Sequence, residues 1–130
     1  MGEDRPELGA GDVTINLDGE QVTLRATLSA ALALAATPED SLGLGGFAAV
    51  NRAMARLDPL AITRVIVLGM GYTGEGPKEL NIPERIFRTG YSELQPVCID
   101  YLTRLLHGGR PAAKRATQEG QDGAPLEPIR

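Results

Sequence analysis

The hydrophobic pattern is strongest between Gly46 and Leu68. Phe47, Val50, Met54 and Leu57 recur at intervals of three and four, the spacing of one helical face. Arg52 and Arg56 fall on the other side, and Asn51 flanks the stripe. The run from Pro59 to Leu68 is apolar apart from Thr63 and Arg64, the mark of a buried helix. Between the two stands Asp58-Pro59. An Asp accepts hydrogen bonds from the free N–H groups of a helix start, and Pro suits the first helical position, where no N–H is needed. The pattern therefore predicts two helices meeting at Asp58-Pro59, with the rest of the chain packed on this pair.

Upstream the period changes to two. Val13, Ile15 and Leu17 alternate with Thr14, Asn16 and Asp18, and the alternation resumes at Val22, Leu24 and Ala26. Asp18-Gly19 between them is a hairpin turn signal, so a β-hairpin is predicted over 12–27. A lone hairpin is marginal in water and needs helices, or strands of another copy, behind it. Thr27 or Ser29 can cap an alanine-rich helix that ends before Pro38. A loop follows to Gly46, and a glycine-rich loop runs from Gly69 to Lys78. Ile82, Ile86 and Phe87 predict a short helix opened by Pro83 and closed by Gly90. Ser92 is the expected cap of the last helix. Leu94, Val97, Cys98, Tyr101, Leu102, Leu105 and Leu106 form its apolar stripe, and Gly108-Gly109 its stop. The fold class read from this is α+β, an N-terminal hairpin followed by four or five helices. Residues 12–109 form the single domain, with no regular structure expected over 1–11 or 110–130.

Composition narrows the chemistry. The 130 residues are 42% hydrophobic with no Trp, so the core is aliphatic and alanine-rich. The formal charge is −4, and no basic run interleaves with aromatics, which argues against nucleic-acid binding. One Cys excludes an internal disulfide and agrees with a reducing compartment. The acidic start is unlike a signal peptide, and the longest apolar run, Ala30 to Ala36, is too short to span a bilayer.

Candidate chemistry is sparse. Gly69-Met70-Gly71-Tyr72-Thr73-Gly74 matches G-x-G-x-x-G, and Val65 to Leu68 before it can pass for a strand. Gly76-Pro77 interrupts the helix that such a dinucleotide site needs, so a plain loop is the preferred reading. His107 lacks a second ligand at metal spacing and sits where an imidazole meets a helix C-terminus. Cys98 falls on the apolar stripe, as a buried inert thiol does. Glu79, Glu84 and Glu93, with Arg85 and Arg88, read as solvated surface charge. No catalytic set, cofactor site or metal site emerges. What stands out is apolar helical surface, which either closes one core or meets a partner.

Three segments carry a resemblance. They are Thr14 to Glu20 with Val22 to Leu28, Gly45 to Ile66 through Leu57-Asp58, and Pro96-Val97 through Tyr101-Leu102 and Leu105-Leu106 to Gly108-Gly109. In this order they resemble the small tail proteins of the gene-transfer-agent family, also found in phages and prophages and labelled tail assembly chaperone or tail tube protein. The resemblance covers roughly 13–109. It implies a non-enzymatic role without a cofactor: shielding the tape-measure protein or tail tube subunits in the bacterial host cytoplasm, with self-association possible. The alternative it implies is a structural subunit of the tail or head–tail joint, resident in the virion. A dinucleotide-binding enzyme is the remote third reading. Phe47, Val50, Met54, Leu57, Leu102 and Leu106 are the expected partner contacts.

Overall fold

The computed structural model describes residues 11–109, so the readings made for 1–10 and 110–130 lie outside the described residues. Over the described residues the fold is α+β: a two-stranded antiparallel hairpin followed by five α-helices and one 3₁₀ turn. Strands β1 (Val13–Leu17) and β2 (Glu20–Leu24) pair Val13 with Leu24 and Leu17 with Glu20. The Asp18-Gly19 turn has both residues at positive φ, 55° and 90°, the combination that matches strand twist. Asn16 Oδ1 accepts the Gly19 N–H at 2.8 Å. Ile15, Leu17 and Leu24 point into the core, as the alternation predicts.

The helices are α1 (Leu28–Ala35), α2 (Gly46–Ala55), α3 (Pro59–Gly69), α4 (Ile82–Thr89) and α5 (Tyr91–Leu106). Thr27 caps α1 by accepting the Ala30 N–H, and Asp58 caps α3 by accepting the Leu60 N–H, with Pro59 first in the helix. The start of α5 differs from expectation. It begins at Tyr91 behind Gly90, whose φ of 107° turns the chain sharply out of α4, and Ser92 lies inside the helix. Lys78–Leu80, just at the end of the loop expected over Gly69 to Lys78, forms a 3₁₀ turn.

The centre also differs. The pair on which the rest packs is α3 with α5, not α2 with α3. Helix α3 contacts α1, α2, α4, α5 and β2, while α5 contacts α1, α2, α3, α4 and β1. Ile62, Val65, Ile66 and Val67 of α3 are buried, as are Leu94, Cys98, Tyr101, Leu102 and Leu105 of α5. Polar side chains on this central pair reach over to close neighbouring helix ends, whose last carbonyls have no partner within their own helix. Arg64 of α3 donates to the Ala33 carbonyl near the end of α1, and Gln95 of α5 donates to the Met54 carbonyl near the end of α2.

The C-terminus of α3 comes unusually close to the hairpin. The Arg25 N–H donates to the Gly69 carbonyl at 2.8 Å, and the Tyr101 hydroxyl donates to the Arg25 carbonyl. A Cβ on Gly69 would stand 3.0 Å from Leu24 Cβ and 3.3 Å from Tyr101 Cζ. Alanine gains about 1 kcal/mol of helix propensity over glycine, but overpacking a filled core costs about 1–3 kcal/mol. Gly69→Ala is therefore expected to destabilise the fold by about 1 kcal/mol, read as a lower urea midpoint at unchanged m-value.

Candidate functional site

The six residues expected to meet a partner separate into two groups. Val50, Met54 and Leu102 are in the core, and Phe47 is half-buried against it. The stripe of α2 is therefore chiefly core, a correction to its reading as partner surface. Leu57 does not continue that stripe either. It follows the helix end in left-handed conformation, φ 60°, where its N–H and that of Asp58 close the helix on the carbonyls of Met54 and Ala53. That conformation costs a side-chain-bearing residue roughly 1–2 kcal/mol and turns Leu57 toward the surface. Leu106 of α5 is exposed, although it was assigned to the apolar stripe with Leu102 and Leu105.

The apolar surface that does face solvent lies elsewhere. Helix α1 buries Ala30 and Leu34, and its opposite side carries Leu28 and Leu32, 73% and 61% exposed, one turn apart. No charged residue interrupts the helix. A shallow pocket lined by Leu28 and Ala31 of α1 and by Leu105 joins this side to the end of α5. The loop from Thr37 to Gly45 adds Leu42 and Leu44. One carboxylate shapes that loop: Asp40 accepts the N–H groups of Leu42 and Leu44 at 2.8 and 3.1 Å and meets Arg52 at 3.4 Å. The Leu44 N–H above all, with the Leu42 N–H and the charges of Arg52 and Arg56, outweighs desolvation and holds the Asp40 carboxyl below its ordinary value.

The charges on α4 form a clamp that sequence reasoning missed. Arg88 donates from Nε and Nη2 to Asp18 at 3.1 and 2.9 Å, and from Nη1 to Glu84 at 2.7 Å. The Asp18 hydrogen bonds above all raise the Arg88 pKa. Arg85 pairs with Glu20 and reaches the Leu17 carbonyl, while Thr89 Oγ1 accepts the Asp18 N–H. Arg85, Arg88 and Thr89 stand three and four apart, one helical face. That spacing was the available signal, and the hairpin turn it grips lies about seventy residues away.

The glycine motif does not have dinucleotide-site geometry. Val65 to Leu68 is part of α3 rather than a strand, Gly69 closes that helix, and the motif opens no helix. Glu84 is tied to Arg88, and Glu79 and Glu93 are exposed. Among the described residues no cluster of three His, Cys, Asp or Glu side chains is arranged to hold a metal, and no helix is long and apolar enough to cross a membrane. His107 is the residue that ends α5. Comparison of the chain with family models, with curated proteins and with solved structures gives no match.

Two buried groups titrate abnormally. Burial pushes the Cys98 thiol up to about 12 and the Tyr101 hydroxyl up to about 12, the latter helped by the Asp12 carboxylate. In both, folding favours the protonated form. Their contribution is complete below the unfolded values, 9.0 and 10.0, and is lost as pH rises from there toward 12. The urea midpoint is expected to hold near neutrality and to fall progressively above pH 9. Tyr101→Phe is expected to flatten that alkaline limb, and an unchanged limb contradicts the assignment.

Proposed function

We propose that this protein is a tail assembly chaperone of the phage and gene-transfer-agent type, a non-enzymatic protein that holds a tail component through apolar helical surface until the tail polymerises. The family reading comes from the three segments described above. The observation that carries the mechanism is the outward side of α1. Leu28 and Leu32 stand free, one turn apart, on an eight-residue helix without a charge. Covering a leucine fully is worth roughly 1.5–3 kcal/mol, so two largely exposed leucines offer a partner a few kcal/mol. By themselves they anchor a segment only weakly, so the rest of the hold comes from contacts around them and the client stays releasable.

The fitting client is a stretch of the long helical tape-measure protein, or a tail tube subunit before polymerisation. An amphipathic helix lays apolar residues at three- and four-residue spacing into such a surface. The small side chains beside the leucines, Ala31, Ala33, Ala35 and Ala36, let a partner backbone approach closely. The setting for this work is the bacterial host cytoplasm, where tails are built.

Co-expression of the full chain with the tape-measure and tube subunits tests the reading. The wild type is expected to co-purify with one of them. Leu28→Ser with Leu32→Ser is expected to reduce that recovery at least about tenfold, with Tm within a few degrees, because exposed positions rarely alter stability by more than about 0.5 kcal/mol each. Mass spectrometry of purified particles gives the second arm. Trace or no chain in the particle agrees with a chaperone, whereas stoichiometric presence replaces it with a structural tail subunit.

A further inference from the structure

A second apolar surface lies on α3, well separated in sequence from the α1 leucines. Leu60, in the first turn of α3, is 81% exposed, the highest value among the large apolar residues described. It stands as a ridge between two depressions. On one side is a groove of about 380 Å³ lined by Thr63 and Leu68 of α3 and, across from them, Pro83 and Tyr91. On the other is a smaller hollow of about 150 Å³, floored by Val50 and Ala53 of α2. Phe87, 66% exposed, rests edge-on against Tyr91 with ring centroids 6.3 Å apart. Ridge, groove and exposed aromatic ring thus occupy neighbouring positions on α3, α4 and the start of α5.

The charges of this face are also incomplete. Arg64 lines both depressions, and among the described residues its guanidinium donates only to neutral acceptors, Thr37 Oγ1 and the Ala33 carbonyl. A guanidinium has five N–H donors, so three are left over. Glu75 lines the larger groove and, among the described residues, forms no ion pair. One cation and one anion therefore border the same groove without meeting each other.

We propose that a second copy of this chain covers this face, as a two-fold dimer. Leu60 of each chain enters the groove of the other, and Arg64 of each meets Glu75 of the other. A two-fold interface uses the same patch twice, so that patch must carry both a projection and its receptor, and both signs of charge. This face carries all four. A foreign acidic segment would answer Arg64 and leave Glu75 unmatched, and a basic one the reverse. One leucine ridge and one groove per chain make a small contact, so the dimer is weak, with a dissociation constant on the order of 10–100 μM. The proposal is independent of the tail reading, which draws on the three sequence segments and the α1 leucines.

Sedimentation velocity of the full chain over a series from about 1 to about 500 μM brackets that constant and tests the dimer. The mean mass is expected to climb from one chain toward two. Leu60→Glu places a carboxylate in the first turn of α3, where negative charge suits the helix dipole, so the helix keeps its stability. This variant is expected to weaken association at least tenfold while its melting temperature is held. Glu75→Arg, which sets a cation opposite Arg64 of the other copy, is expected to weaken it by a similar factor. A single-chain mass at every concentration overturns the dimer. Association undiminished in either variant overturns this face as its site.

Discussion

Everything in this molecule depends on covering the buried side of α3. Ile62, Val65, Ile66 and Val67 leave that helix few ways to meet water, so it must be enclosed. Each such side chain is worth roughly 1.5–3 kcal/mol when buried, far more than any surface ion pair here can supply. Helix α5, with its own buried stripe, provides the largest part of the cover, and α1, α2, α4 and β2 complete it. The hairpin, which has no core of its own, is stable because Leu17 and Leu24 close over this pair. Gly69 lets the end of α3 come near enough for backbone to bond backbone across that junction.

Polar groups act on this arrangement as positioners. Arg64, Gln95 and the Tyr101 hydroxyl each satisfy a carbonyl of another element and so orient α1, α2 and the exit of β2. The α4 clamp does the same at the hairpin turn through Arg85, Arg88 and Thr89. Isolated surface ion pairs contribute little, but Arg88 approaches Asp18 with two nitrogens, and that geometry specifies orientation as well as energy. With α4 rotated so that these cations reach the turn and Ile82 and Ile86 enter the core, Phe87 is left outside. Its exposure follows from that rotation and produces the aromatic edge beside the α3 groove.

Two apolar surfaces result, and they differ in kind. The α1 side is uncharged and aliphatic, the surface we propose for an apolar segment of another protein. The α3 face combines ridge, groove and both signs of charge, a surface suited to its own copy. Burial of Val50, Met54 and Leu102 means that neither role depends on opening the core.

Much of the local structure was readable from the chain alone. The alternation around Asp18-Gly19 gives the hairpin and its inward face, because a strand has only two sides and the turn residues tolerate positive φ. Thr27, Asp58-Pro59 and Gly108-Gly109 mark helix ends because capping is a local hydrogen-bond requirement. What periodicity does not contain is which face meets which. Leu102 and Leu106 share a stripe at helical spacing, yet one is sealed and the other open, since the outcome depends on where α1 and the hairpin lie. The same limit hides the exposure of Phe87 beside buried Ile86, the central position of α5, and the clamp that α4 closes on the hairpin turn. Local sequence determined the elements and their ends. Tertiary packing alone decided core against surface, because burial belongs to pairs of elements brought together from distant parts of the chain.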